Sequence, residues 1–113
     1  MTAADFRRFV LALPGTIEGA HRGHADFRLG GRVIASLDSP DVGWAMVKLT
    51  PAQQSEVLGA SASGFRPANG AWGVQGYTIL FLADAKAEPV RAALALAAAN
   101  VTAKKKSRAP KRR

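Results

Sequence analysis

The chain contains no cysteine. Disulfide bonds, thiol catalysis and zinc sites built on cysteine are therefore excluded. Long hydrophobic runs are also missing: the longest near the N-terminus, residues 9–13, is too short for a signal-peptide core, and no run reaches transmembrane length. We therefore expect a protein without membrane insertion that resides in the cytoplasm, where reducing conditions fit the lack of cysteine.

Acidic side chains are missing from the C-terminal end, although the whole chain is basic. The formal net charge is +8, from 16 Lys+Arg against 8 Asp+Glu. Seven of the basic residues follow residue 103 with no acidic residue among them, which leaves residues 1–100 with a net charge of only +1. We expect a nearly neutral domain over residues 1–103 and a basic tail over 104–113 that is disordered in isolation.

Residues 26–37 carry the clearest local signal, two alternating runs joined by Gly30-Gly31. A two-residue Gly-Gly link closes a tight β-hairpin, because only glycine adopts positive φ at both positions without strain. The turn predicts that Phe27 pairs with Ile34. One face of the hairpin then carries Phe27, Leu29 and Ile34, and the other carries Arg28, Val33, Ala35 and Leu37.

The remaining elements follow from periodicity and capping. Thr2 and Asp5 predict a helix start, as does Thr50 followed by Pro51 and Gln53. A strand over 43–49 places Trp44, Met46 and Lys48 on one face. The further expected elements are an extended segment over 16–21, a surface loop over 60–70, a turn or bulge over 70–76 with Trp72 tucked against the domain and a buried strand over 77–82. A helix is expected from 88 to about 103, with room for a further turn before Pro110.

This order predicts an α+β domain with a two-layer architecture, an antiparallel sheet with helices mainly on one face. The other face would then be open. Together with the hairpin residues, Trp44, Met46 and Lys48 would give that face a mixed apolar and basic character, typical of a binding or dimerisation surface. The alternative is that the C-terminal helix or the 60–70 loop covers it.

Three stretches carry a resemblance to a known family: ALPGTIEGAHRGHADFRLGGRVIASL, AMVKLTPAQQSEVL and FRPANGAWGVQGYTILFL. In this order they resemble the successive motifs of the MmcQ/YjbR family of small bacterial proteins, over residues 6–101. The family landmarks are His21, Phe27, Lys48, Gly73 and Gly76. Tyr77 stands where such families often carry tryptophan. The resemblance implies a fold similar to that of type III secretion chaperones and DNA binding through a "double wing" of hairpins, and it implies no catalytic residues.

Constellations with catalytic or metal-binding chemistry are weak. His21, His24 and Asp26 are spaced like a metal cluster, but hydrogen-bonded or solvent-exposed histidines are the better interpretation. Asp38 and Asp41 fit a turn, where aspartate bonds the backbone. The glycine-rich stretch over 70–76 lacks the lysine and hydroxyl of a P-loop. We expect neither metal nor cofactor, and no enzymatic activity.

The leading hypothesis is a non-enzymatic protein that associates with DNA with little or no sequence specificity. The tail would supply phosphate contacts and the hairpin face would supply contacts to the shape of the duplex. The residues predicted to bind DNA are Arg22, Arg28, Arg32, Lys48, Arg66, Lys104, Lys105, Lys106, Arg108, Lys111, Arg112 and Arg113.

The alternative hypothesis is an interaction module that binds a protein, a second copy of the chain or a small ligand. It would use the open face of the sheet, and the basic tail would be incidental. The residues predicted for this face are His21, Trp44, Met46, Trp72 and Tyr77.

Overall fold

The computed structural model describes residues 1–21, 23–60 and 63–108. In these ranges the chain forms four helices and six strands. In chain order they are α1 (Ala3–Leu11), β1 (Ile17–His21), β2 (His24–Leu29), β3 (Arg32–Leu37), β4 (Trp44–Lys48), α2 (Pro51–Gly59), β5 (Phe65–Pro67), α3 (Gly70–Val74), β6 (Tyr77–Phe81) and α4 (Ala87–Arg108).

The strands form one six-stranded sheet in the order β1-β2-β3-β4-β6-β5. Every neighbouring pair is antiparallel. The first four strands are adjacent in both sequence and space, and Gly30 and Gly31 close the β2–β3 turn with φ of 58° and 78°. The predicted α+β fold with an antiparallel sheet is confirmed.

Both predicted helix caps are present as complete capping boxes. The Thr2 hydroxyl accepts from the Asp5 amide while the Asp5 carboxylate accepts from the Thr2 amide, and Thr50 and Gln53 repeat the arrangement in α2. The hydrogen bonds from the Thr2 backbone and from Arg8 lower the pKa of Asp5, because they favour its charged form. The two boxes satisfy helix N-terminal amides that would otherwise lack partners.

The hydrophobic core lies between one face of the sheet and the helices α1, α2 and α4. Phe6 from α1 meets Phe27 from β2 edge to face, with ring centroids 6.3 Å apart. The helix α4 contributes a buried stripe at helical spacing, formed by Val90, Leu94, Ala97 and Val101. A reciprocal pair of hydrogen bonds between Gln53 and Asn100 joins α2 to α4. We call the opposite side of the sheet the outer face.

The predicted register of the central hairpin is wrong beyond its first two pairs. Arg28 pairs with Val33 as expected, but a β-bulge follows, and Phe27 pairs with Ala35 instead of Ile34. The extra residue in β3 turns Ala35 and Leu37 into the core, where both are buried, and turns Ser36 to the outer face. Leu37 is therefore not part of the outer face.

Two further expectations need correction. The loop predicted over 60–70 contains the short strand β5, which pairs with the three central residues of β6. The stretch predicted as a turn over 70–76 forms the helix α3. The last helix continues past residue 103 to Arg108, in line with the further turn expected before Pro110, while the tail residues 109–113 lie outside the described residues.

Within the described ranges, no helix combines the length and the apolar composition needed to cross a membrane.

Gly76 generates a prediction about stability. It adopts a φ of 106°, and a Cβ at this position would overlap the carbonyl oxygen of Leu49. Gly76→Ala should therefore lower the free energy of unfolding by about 2–4 kcal/mol, since strained backbone and a backbone overlap act together. Urea denaturation measures the change.

Gly59→Ala is the matched control, because Gly59 is helical and a Cβ added there would have no other atom within 4 Å. It should leave stability within about 0.5 kcal/mol or raise it, since alanine favours helix. Equal unfolding midpoints for the two variants would contradict the account of Gly76.

Candidate binding groove

The outer face of the sheet holds a groove of about 530 Å³. Strands β3, β4 and β6 supply its floor, and β2 supplies one wall. The other wall comes from the segment that joins β5 to α3, and the turn between β3 and β4 closes one end. The lining residues are His24, Asp26, Arg28, Val33, Ser36, Ser39, Pro40, Met46, Ala68, Asn69, Trp72, Tyr77 and Ile79.

Two aromatic rings form the apolar end of the groove. Trp72 on α3 and Tyr77 on β6 meet edge to face, with ring centroids 4.8 Å apart and an interplanar angle of 87°. Trp72 keeps 61% of its surface exposed. The prediction that Trp72 tucks against the domain is therefore wrong, since the residue is largely exposed and contacts Tyr77 edge to face.

The position of α3 depends on one glutamine and one glycine. The Gln54 side-chain amide donates to the carbonyl oxygens of Gly73 and Tyr77, at 3.2 and 3.0 Å, and so connects α2 to both elements that carry the aromatic rings. A Cβ at Gly73 would overlap the Ala68 carbonyl oxygen. Glycine at this position thus lets α3 lie directly against the wall segment.

An ion pair forms the polar wall. Arg28 donates from Nε to Asp26 Oδ1 and from Nη2 to Asp26 Oδ2, both at 2.9 Å. The Asp26 side chain is only 5% exposed, whereas that of Arg28 is 40% exposed. The hydrogen bonds and the charge of Asp26 raise the pKa of Arg28, so the guanidinium stays protonated.

A glycine on β1 makes room for this ion pair. Gly19 lies opposite Asp26 in the β1–β2 register. A Cβ at Gly19 would come to 3.0 Å from Asp26 Oδ1 and 3.5 Å from Arg28 Nε. A larger residue would therefore press on the pair from the neighbouring strand.

Two more cations lie over aromatic rings of the outer face. Lys48 Nζ lies 5.4 Å from the centroid of the Tyr77 ring, and Arg66 Cζ lies 4.9 Å from that of Trp44. Trp44 in turn packs against Phe81 at 5.1 Å. These cation–π contacts hold positive charge beside the groove while leaving it exposed to solvent.

The residues predicted to bind DNA do not share one surface. Arg28, Lys48 and Arg66 belong to the outer face, but Arg32 lies toward the helix side, in a second hollow near Val101 of α4 that Lys48 also lines at the sheet edge. The helix α4, which runs from Ala87 to Arg108, includes Lys104, Lys105, Lys106 and Arg108 in its last turns. The predicted contacts Arg22, Lys111, Arg112 and Arg113 lie outside the described residues.

The residues predicted for the interaction face come together better. Met46, Trp72 and Tyr77 line the groove, and Trp44 lies on the same face beside Arg66. The register places His21 opposite His24, while the His21 side chain lies outside the described part of the structure. In the described residues, no three His, Cys, Asp or Glu side chains are grouped to hold a metal ion.

Sequence reasoning misses several groove residues. Ser36 is not expected in the groove, because the sequence of β3 gives no signal for the bulge that turns this residue outward. Asp26 resembles a metal ligand by its spacing from the histidines, although its neighbour Arg28 at i+2 on the same strand is a signal for an ion pair. Asn69 and Ala68 enter the wall through the packing of α3.

Searches of protein-family models, curated proteins and solved structures find no match to this chain. The resemblance to the MmcQ/YjbR family therefore stays a prediction from the motifs.

The Asp26–Arg28 pair generates the second prediction. Arg28→Met removes the partner of a buried carboxylate, so it should lower the urea midpoint of unfolding, by less than the loss of a fully buried pair because Arg28 is partly exposed. Adding Asp26→Asn should recover part of the loss, since the unpaired charge is then gone. Urea denaturation of the single and double variants measures both changes.

Arg32→Met is the control on the same hairpin, because Arg32 is exposed and lies on the helix side. It should change stability by less than about 0.5 kcal/mol. The ion-pair account fails if Arg28→Met is equally harmless.

Proposed function

We propose that the protein is a non-enzymatic binding module and that the groove on the outer face receives a ligand or a segment of a partner protein. The single observation that carries the proposal is the combination of the 530 Å³ groove with an indole ring that is 61% exposed at its wall. Ligand sites in proteins are concave, mostly apolar and about 300–1,000 Å³ in volume, with a few polar groups that set orientation.

The construction of the groove supports this proposal. Its apolar floor side chains, Val33, Met46 and Ile79, come from three strands, so they are fixed by the sheet. Its exposed aromatic ring stands on α3, which Gln54 connects to α2. Sites placed on regular elements and supported by such hydrogen bonds are held in shape before a ligand arrives, which reduces the entropy lost on binding.

Trp72→Ala tests the groove. Loss of the ring should weaken any groove ligand about 3- to 10-fold, because aromatic contacts contribute about 0.5–1.5 kcal/mol beyond the buried area. A panel of aromatic and aliphatic fragments, screened by chemical-shift changes in two-dimensional ¹H–¹⁵N spectra of the full chain, would identify ligands and give their affinities.

Val74→Ala is the matched control, since Val74 lies on the same short helix, is 78% exposed and is not a lining residue. It should leave fragment affinities unchanged. Fragments whose shifts map away from the groove, or bind equally well to both variants, would argue against the proposed site.

DNA association is the second candidate function, and the extent of α4 favours it. The helix carries Lys104, Lys105, Lys106 and Arg108 as a direct continuation of the stretch that packs in the core. Positive residues suit a helix C-terminus, and a cluster of them can contact phosphates without reading sequence. The resemblance to the MmcQ/YjbR family implies the same partner.

The salt dependence of binding tests this candidate. If the seven basic residues after residue 103 all contact duplex DNA, replacing them with glutamine should reduce the slope of log affinity against log salt by about 6. Fluorescence anisotropy of a labelled duplex over a salt series measures the slope for the full-length proteins.

The control variant combines Arg32→Gln, Lys48→Gln and Arg66→Gln, which remove three cations of the folded body. It should change the slope by less than about 1, since in this candidate function the tail supplies the phosphate contacts. The reverse pattern would assign DNA contacts to the body and not to the tail.

A further inference from the structure

In the polar wall of the groove, the Arg28 guanidinium has more N–H donors than its pair with Asp26 uses. A guanidinium carries five N–H groups. The pair with Asp26 uses one on Nε and one on Nη2 of Arg28, and the contacts of the described residues assign no partner to Nη1. Because Asp26 is buried and Arg28 is 40% exposed, the free side of the fork is the side that solvent or a ligand reaches.

The charge around the groove is positive. Asp26 is the one carboxylate among the lining residues, and both of its oxygens already accept from Arg28. Lys48 and Arg66 stand over Tyr77 and Trp44 on the same face, and neither charge is neutralised by those rings. Among the lining residues the charges of Arg28 and Asp26 balance, and Lys48 and Arg66 add positive charge on the same face beside them, so an anionic group is favoured over a neutral or cationic one.

The apolar end of the groove favours a flat ring. Trp72 and Tyr77 meet at 87°, which forms an aromatic corner, and Met46 and Ile79 lie on the adjoining floor. A planar aromatic ligand can stack on one ring and meet the edge of the other. The flexible thioether of Met46 adapts to such a ring and makes favourable contacts with it.

From these features we infer that the groove binds a small planar aromatic anion, with its ring against Trp72 and Tyr77 and its anionic oxygens on the free N–H groups of Arg28. The inference rests on the proposed function and adds the chemical class of the ligand. Arg28 is the binding residue. Asp26 is a positioning residue, because its two hydrogen bonds hold the guanidinium plane and leave the Nη1 side facing outward.

A matched pair of probes tests the inference on the full chain. The anion 2-naphthoate should bind at least ten times more tightly than neutral 2-naphthamide, and cyclohexanecarboxylate should bind at least five times more weakly than 2-naphthoate. Titrations followed in ¹H–¹⁵N spectra should move the Trp72 indole N–H and the Arg28 Nε–H signals together with 2-naphthoate. These comparisons need no substitution, so they do not depend on the folding of a variant.

Substitution then assigns the charge preference to one residue. Arg28→Gln should abolish the difference between 2-naphthoate and 2-naphthamide by weakening the binding of 2-naphthoate at least tenfold. If Arg28→Gln alone does not fold because Asp26 is left unpaired, the Asp26→Asn/Arg28→Gln double variant replaces it. Lys48→Gln, which removes a neighbouring cation, should retain at least a fivefold preference for the anion.

The outcomes separate this inference from the proposed function. Equal binding of the two naphthalene probes in the groove would overturn the inference and leave the proposed function standing. Failure of both probes and of the fragment panel to move groove signals would overturn both. A single-stranded oligonucleotide that moves these signals where 2-naphthoate does not would overturn the inference in favour of a nucleic-acid site.

Discussion

The β-bulge in β3 decides which side chains the two faces of the sheet carry. Without the extra residue, Phe27 would pair with Ile34, Ala35 and Leu37 would point away from the helices, and Ser36 would point toward them. A hydroxyl without a partner would then be buried, and a large apolar side chain would be exposed. With the bulge, Ile34, Ala35 and Leu37 lie in the core, and the small polar residue Ser36 lies on the floor of the groove. The core and the groove therefore depend on the same irregularity.

The groove also depends on two glycines with different partners. Gly73 lets α3 lie against the carbonyl of Ala68, and Gly19 leaves space beside Asp26 and Arg28. Gly73 thus shapes the apolar end of the groove, and Gly19 shapes its polar wall. Neither residue has a φ in the left-handed region, so their importance lies in the missing side chain and not in backbone freedom.

Local signals in the sequence predict most of the fold. The Gly30-Gly31 turn, the capping boxes at Thr2 and Thr50 and the stripe of α4 each depend on residues within a few positions of one another, so they are readable without tertiary information. The alternation of β4 likewise assigns Trp44, Met46 and Lys48 to one face, as observed.

The groove is less predictable because tertiary packing creates it. The bulge cannot be read from the sequence of β3. Ile34 and Ala35 are both apolar, so either register places an apolar residue opposite Phe27. Trp72 reaches the outer face through the hydrogen bonds of Gln54, which lies 19 residues from Gly73. The number of basic residues also does not predict which of them line the groove. Arg28 and Arg32 lie on either side of one turn, yet Arg28 lines the groove and Arg32 lies near α4.

The position of α4 in the chain has a consequence for biosynthesis. Val90, Leu94 and Val101 cover the inner face of a sheet whose six strands all precede them in sequence. A ribosome releases residues from the N-terminus onward, so the strands emerge while the helix that shields their apolar face is still untranslated or inside the exit tunnel. The nascent chain therefore exposes the inner face of β3 and β4, with Ile34, Leu37 and Val47, until α4 appears, and this interval is when the protein most needs protection from aggregation.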